Sequence, residues 1–163
     1  MQKFKQLLSY EAVDRAFKVY RESNNVVEID GRLMDRHSIA SVGSFMLSKF
    51  TFDELGFVWD EIKDKFGHQF DPVYFRILKY NPRCHIPEHV DSYGQGQQES
   101  DHSLIIQMNS PEDYAGGLPS VSGRNLYLNV GDAVMYEYSE PHAVSQVRKG
   151  IRYVINMRLK KVK

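Results

Sequence analysis

The sequence predicts an α+β fold, with supporting helices in about the first 70 residues and a β barrel or jelly roll from about 71 to 160. Three observations lead there. Apolar residues recur at helical spacing in two N-terminal stretches. From residue 70 that periodicity disappears, and short runs rich in β-branched and aromatic residues alternate with turn signals. The length, 163 residues, suits one domain with a sizeable core, so a single domain over 1–163 is expected.

The elements follow in order. Ser9 reads as an N-cap, with Glu11 in the first turn and Val13, Ala16, Phe17 and Tyr20 on one face, which predicts a helix over about 10–22. Val26 to Ile29, Asp30-Gly31, and Arg32 to Met34 read as a hairpin, because Asp-Gly supplies the positive φ angles of a type I′ turn. Ser38 to Lys49 reads as helix. Thr51 and Glu54 form a capping box ahead of an apolar stripe, Leu55, Val58, Trp59, Ile62 and Phe66, that stops at Gly67. Strands are expected at Val73 to Tyr80, Ser103 to Asn109, Leu126 to Val130, Ala133 to Tyr138, Ala143 to Val147 and Ile151 to Leu159. The polar, glycine-bearing stretch between Ser92 and Asp101 cannot pack and reads as a mobile loop.

Composition narrows the function classes. Apolar residues make up 42% and aromatics 12%, which argues against disorder. Lys plus Arg equals Asp plus Glu at 21 each, so no whole-molecule field draws the chain to nucleic acid or an anionic membrane. Cys84 is the one cysteine, so no internal disulfide forms. No stretch reaches the ~18 apolar residues of a membrane span, and the N-terminus has no long apolar signal region. A soluble, cytoplasmic protein is the expectation.

The chemistry concentrates in His89 and Asp91, two apart, and His142 far downstream. Two imidazoles and a carboxylate form the facial triad of a non-haem Fe(II) site, which leaves positions open for oxygen and a co-substrate. On an extended chain His89 and Asp91 share a face, whereas on a helix they diverge by about 200°. Pro87 argues against a helix. Alone, His-x-Asp is commonly a surface polar pair and His142 a structural histidine, so the surroundings decide. If Arg148-Lys149-Gly150 is a three-residue hairpin loop, Gln146 lies opposite Arg152, and parity puts Arg152 on the face of His142. The gap is roughly 13 Å at ~3.3 Å per residue, which a short dicarboxylate and an extended arginine can bridge. A two-residue loop would turn Arg152 away. His85 competes as a ligand, but on an extended chain it lies far from Asp91. His37, His68 and His102 read as surface or loop histidines, Cys84 as a packed thiol, and Lys160, Lys161 and Lys163 as a solvated tail.

Over roughly residues 72–160 the chain resembles the 2-oxoglutarate/Fe(II)-dependent dioxygenases, in their prolyl 4-hydroxylase-like branch. That family's distal segment is H-x-V-x-x-V-x-x-G-x-R-Y, matched here by His142, Val144, Val147, Gly150, Arg152 and Tyr153, with the basic residue ten positions after the histidine. Tyr80 fills the position of a co-substrate tyrosine nine before the first histidine, and Gly131-Asp132 also match. Ile86 departs from a frequent tyrosine, and Gly116-Gly117-Leu118-Pro119 replaces Gly-Gly-Glu-Thr, removing a hydroxyl from the co-substrate pocket. The nucleic-acid demethylase pattern R-x-N-x-T-x-R is not matched by Arg152 to Arg158.

The resemblance implies a double-stranded β-helix. It implies Fe(II) on His89, Asp91 and His142, and 2-oxoglutarate held by Arg152 and Tyr80. It further implies O2 as oxidant, ascorbate as an auxiliary, and hydroxylation of a peptidyl residue, proline favoured, with release of succinate and CO2. The loop 92–101 and the turn Tyr114-Ala115-Gly116-Gly117 would be lids. A free amino acid or other small molecule is the alternative substrate, and an inactive metal- or ligand-binding jelly roll the alternative class.

Overall fold

The computed structural model describes residues 1–23, the backbone of 26–29, and residues 45–91 and 100–163; within 45–91, side chains are described from residue 47 onward. Helix α1 is Tyr10–Glu22, and the Ser9 side chain accepts from the Ala12 amide. Helix α2 is Phe52–Ile62, where Thr51 and Glu54 form the reciprocal capping box; a 3₁₀ turn, Lys63–Phe66, then ends at Gly67 in the left-handed region (φ 55°). The two helices are tied together because Glu61 accepts from the Ser9 amide and hydroxyl at 2.8 and 2.7 Å.

Thirteen strands are described: β1 (Gln2–Phe4), β2 (Val26–Ile29), β3 (Phe45–Phe50), β4 (Phe70–Tyr80), β5 (Ile86–His89), β6 (His102–Gln107), β7 (Tyr114–Gly116), β8 (Pro119–Val121), β9 (Arg124–Asn125), β10 (Ala133–Glu137), β11 (His142–Val144), β12 (Val147–Gly150) and β13 (Arg152–Lys161). An antiparallel seven-stranded sheet runs in the order β1-β10-β6-β13-β4-β3-β2, and a four-stranded sheet in the order β5-β11-β8-β9; β12 pairs with β7. Two antiparallel sheets with crossing connections are the layers of a double-stranded β-helix, as the sequence predicts.

Strand β13 lies between β6 and β4 and its residues are buried almost throughout. Alternation divides it. Ile155, Met157 and Leu159 join Phe75, Ile77, Leu104 and Ile106 in one core against the helices, with Leu55, Val58, Ile62, Val13 and Ala16. Phe17 and Tyr20 pack edge-on to Tyr153 at 5.2 and 5.8 Å. The other face, which we call the inner face, carries Arg152, Val154, Asn156 and Arg158. Val154 belongs there to a smaller cluster with Leu78, Tyr80, Cys84, Ile86 and Val147.

Three expectations need correction. The helix over 38–49 is strand from Phe45 onward: Phe45–Phe50 pairs with both β2 and β4, and sheet pairing overrides local helical propensity. Val26–Ile29 is strand and pairs with β3, and the Asp30-Gly31 turn and Arg32 to Met34 of the expected hairpin lie outside the described residues. Leu126 to Val130 alternates, with Leu126 and Leu128 buried and Tyr127 exposed, yet joins no ladder: the Asn129 amide donates to Asp132 instead. Finally, Arg148-Lys149-Gly150 is not a hairpin loop. It belongs to β12, paired with β7, so Tyr114 to Gly116 is strand and not an open lid. Gly116 and Gly150 have φ of 75° and 71°, and a Cβ on them would come within 1.9 Å of the Gln146 oxygen and 2.2 Å of the Asp113 oxygen. Gly131 (φ 85°) abuts the Leu8 carbonyl, while Asp132 accepts from the Gln6 and Asn129 amides, which ties β1 to the turn before β10. Among the described residues no helix is long and apolar enough to cross a membrane.

Candidate metal and dicarboxylate site

His89 closes β5 and His142 opens β11, and the two are cross-strand partners next to a bulge. Their rings stand 4.2 Å apart. Asp91 follows β5, where its amide donates to the Tyr138 carbonyl at 2.9 Å. One ligand atom from each of His89, Asp91 and His142 lies within 4.8 Å of the others.

The second nitrogen of each ring decides what the first can do. Nδ1 of His89 lies 2.9 Å from the Pro87 carbonyl, and Nδ1 of His142 lies 2.9 Å from the Glu140 carbonyl. A carbonyl only accepts, so each Nδ1 carries the proton and each Nε2 is left with a lone pair. Those Nε2 atoms face Asp91 Oδ1 at 3.7 and 3.4 Å. Three lone pairs thus converge, and in neutral imidazoles no proton lies between them to offset their repulsion. A divalent cation satisfies the set, and two nitrogens with one oxygen match a facial Fe(II) triad. Burial lowers the His89 pKa, as does the neighbouring His142, which favours the neutral, ligating form.

Asp91 is divided between two tasks. Its Oδ1 faces the imidazoles, and its Oδ2 accepts from Arg158 Nη1 at 2.7 Å. Burial pushes this carboxyl's pKa up, but the Arg158 guanidinium, and the His142 ring in its protonated form, outweigh it and hold the group well below the usual carboxylate range. Tyr136 packs 4.6 Å from the His142 ring and closes that side.

Arg152 is 1% exposed. Its Nε donates to Gln107 Oε1 at 3.1 Å, and Gln107 is itself held by Nε2 donating to the Asn109 carbonyl and the Tyr114 hydroxyl, both at 2.9 Å. Its cross-strand partner is Tyr80, whose ring centre lies 5.2 Å from the guanidinium. Burial pushes the Tyr80 hydroxyl up to about 12, against the opposing pull of Arg152, so it stays protonated. Arg152 Nη2 is buried without a hydrogen-bond partner among the described residues. A buried cationic donor of this kind costs free energy unless an acceptor arrives, and a carboxylate is the acceptor its fork fits. The triad therefore suits a divalent metal, and the unused Arg152 donor suits a carboxylate.

The structure brings together His89, Asp91 and His142, and places Arg152 beside Tyr80. Arg152 reaches the inner face through the alternation of β13, and not through the expected hairpin with β11, which lies in the other sheet. Gly117, from the departing Gly-Gly-Leu-Pro segment, abuts Arg152: a Cβ on it would lie 3.4 Å from Arg152 Cδ. His85 stays outside the ligand cluster, His68 is exposed, and His102 bonds Asp101 at 2.6 Å. Cys84 is fully buried. His37 and the loop 92–99 lie outside the described residues. Sequence reasoning missed Arg158 and Gln107. The signal for Arg158 was available, since Arg152, Asn156 and Arg158 are polar at even spacing on a strand whose other face is apolar.

A family profile described as the 2OG-Fe(II) oxygenase superfamily matches residues 75–159, just over half of the chain. A PKHD-type hydroxylase of Crocosphaera subtropica is 34% identical over 87 residues, 49% of this chain and 39% of that protein. The match thus spans about two fifths of that relative. Two solved structures share the fold over nearly the whole chain. A 2OG-Fe(II) oxygenase family protein of Burkholderia pseudomallei has a TM-score of 0.73 at 14% identity, covering 98% of this chain and 83% of that one. The viral collagen prolyl hydroxylase of Paramecium bursaria Chlorella virus-1, solved with 2OG, has a TM-score of 0.69 at 14% identity, covering 99% and 96%. With the profile match and the converging triad together, the chain belongs to the 2OG-Fe(II) oxygenase superfamily, whose chemistry takes Fe(II), 2-oxoglutarate and O2.

Proposed function

We propose that this chain is an Fe(II)- and 2-oxoglutarate-dependent hydroxylase of a peptidyl residue, with proline favoured because a structure sharing its fold is a prolyl hydroxylase. One observation carries the reading: a metal-ligand triad and a buried arginine with an unused donor occur in one chain whose family profile covers both. Iron, when bound, supplies oxidative decarboxylation of the co-substrate to succinate and CO2, coupled to hydroxylation.

The chain's own residues bind, orient and exclude water. His89 and His142 present Nε2 because the Pro87 and Glu140 carbonyls hold the opposite nitrogen protonated. Arg158 engages Asp91 Oδ2 and so leaves Oδ1 for the metal. Arg152, oriented by Gln107, grips the far carboxylate of the co-substrate, and the protonated Tyr80 hydroxyl is placed to donate beside it. Leu78, Val154 and Ile86 give this end an apolar, low-dielectric wall that strengthens those contacts. A reducing, intracellular setting suits Fe(II), and a buried Cys84 thiol is compatible with it.

The test is succinate release from 2-oxoglutarate under air with Fe(II), with and without ascorbate, in the presence of a peptide library, followed by mass spectrometry for one added oxygen. Succinate dependent on both Fe(II) and a peptide is the expected result. Absence of succinate under every condition would leave a metal- and ligand-binding jelly roll.

A further inference from the structure

The inner face carries more positive charge than the co-substrate and metal use. Arg76, on β4, is the cross-strand partner of Asn156 and directs Nε and Nη2 to its Oδ1. Its guanidinium also lies 5.0 Å from the Tyr74 ring centre. Both partners are neutral. Among the described residues no carboxylate comes within 4 Å of it, and its Nη1 has no hydrogen-bond partner. Among the described residues Asp91 is the carboxylate that acts on it electrostatically, and Asp91 is already taken by Arg158. Arg158 Nε is buried with no partner among the described residues.

Charge makes the point sharper. Among the described residues the inner face carries three guanidiniums, those of Arg76, Arg152 and Arg158, and Asp91 is the carboxylate that Arg76 and Arg158 share. A divalent metal and a dicarboxylate add nothing net, so a positive surplus remains in a low-dielectric interior, which is unfavourable unless a further anion enters. Arg152 is fully buried, as suits a co-substrate anchor, but Arg76 is only partly buried and is reached from solvent.

We propose that Arg76 holds a carboxylate of the molecule that is hydroxylated, with Arg158 Nε as the second donor. The inference rests on the hydroxylase reading above and narrows its substrate to an acid. The carboxylate is either the side chain of an acidic residue next to the target in a peptide or the α-carboxylate of a free amino acid, and the same fork recognises both.

The experiment is anaerobic calorimetric titration of the Fe(II)- and 2-oxoglutarate-loaded protein with matched acid and amide probes. One set is the common amino acids as N-acetyl acids and N-acetyl amides. The other places each residue X in acetyl-Asp-X-Gly-amide and acetyl-Asn-X-Gly-amide. At least one acid member should bind about 10- to 100-fold more tightly than its amide partner, the size expected of a charge-assisted contact. The set in which it appears identifies the source of the carboxylate. Arg76→Gln should erase the preference and leave 2-oxoglutarate affinity within about twofold, and Arg76→Lys, which keeps the cation, should retain most of it. Equal or undetectable binding of every pair overturns the proposal, as does a preference that survives Arg76→Gln. So does an Arg76→Gln variant that loses 2-oxoglutarate as strongly as the acid probe, which would make Arg76 a co-substrate residue. An acid preference erased by Arg76→Gln in a protein that never forms succinate would uphold the anion site and refute the hydroxylase.

Discussion

Arg152→Met separates affinity from stability at one position. In the ligand-free protein the wild-type guanidinium spends Nε on Gln107 and buries Nη2 without a partner, at a cost of about 1–3 kcal/mol. Methionine is of similar volume and removes that cost, while leaving Gln107 Oε1 without its donor, a penalty of about the same size. The two nearly cancel, so the ligand-free melting temperature should move by only a few degrees, at roughly 2–4 °C per kcal/mol for a chain of this length. Binding behaves differently. A bidentate carboxylate contact contains two charge-assisted hydrogen bonds of about 1.5–3 kcal/mol each, and their loss should weaken 2-oxoglutarate at least ~100-fold. Anaerobic calorimetric titration of the Fe(II)-loaded variant measures the affinity, and thermal melting without ligand measures the stability. Iron affinity should be nearly unchanged. A 2-oxoglutarate affinity within about threefold of wild type would refute the role of Arg152, and a collapse of the ligand-free fold would refute the cancellation.

Arg158→Met leaves Asp91 buried without its cation, so the carboxyl pKa rises. In the wild type the depressed value keeps the carboxylate charged down to strongly acid pH, and metal binding attributable to it is lost only there. In the variant the carboxyl takes up its proton sooner, and its titration in the metal-free protein, followed by carbon-13 NMR, should move up by about one unit or more; an unmoved titration would show that Arg158 does not tune Asp91. Cys84, fully buried and with its thiol pushed up to about 12 by burial against the opposing Arg152 charge, should resist iodoacetamide at pH 8 in the native protein and react on unfolding. Native labelling at the rate of a free thiol would contradict that packing. Gly116→Ala would put a Cβ 1.9 Å from the Gln146 carbonyl oxygen at φ 75°, so it should cost about 2 kcal/mol or more and loosen β7 from β12, visible as faster exchange of the Gly117 amide, which donates to that carbonyl. Thr51→Ala removes the hydroxyl that caps the Glu54 amide, while its own amide still donates to the Glu54 side chain, and should cost about 1 kcal/mol, read from denaturant midpoints; no change would mean that the hydroxyl cap adds nothing to α2.

Much of this was legible because the informative signals were local. Ser9 and Thr51 mark their helices, Gly67 ends the second, and His89, Asp91, His142, Arg152 and Tyr80 occupy recognisable spacings. Elsewhere sequence reasoning failed where partners are distant. Phe45 to Phe50 is strand because β2 and β4 flank it, which no local window contains. Arg148 to Gly150 looked like a hairpin turn because both flanks read as strands, yet its true partner is Tyr114 to Gly116, more than thirty residues earlier. That error carried Arg152 to the correct face by an incorrect route. Gln107 acts through Arg152, and nothing near it in sequence announces that role, whereas Arg158, which acts through Asp91, is signalled only by the even spacing of polar residues on β13.

The even and odd positions of β13 are read by two different masters. Ile155, Met157 and Leu159 anchor the helices, and Arg152, Asn156 and Arg158 serve the chemistry, with ladders to β4 and β6 fixing both at once. A single inserted or deleted residue in this strand would drive guanidiniums into the helix-side core and turn methyl groups toward the metal. Drift in this segment is therefore confined to substitution: its length is conserved by folding whether or not the activity is under selection, so a descendant that has lost catalysis should keep the strand's register long after its arginines have gone.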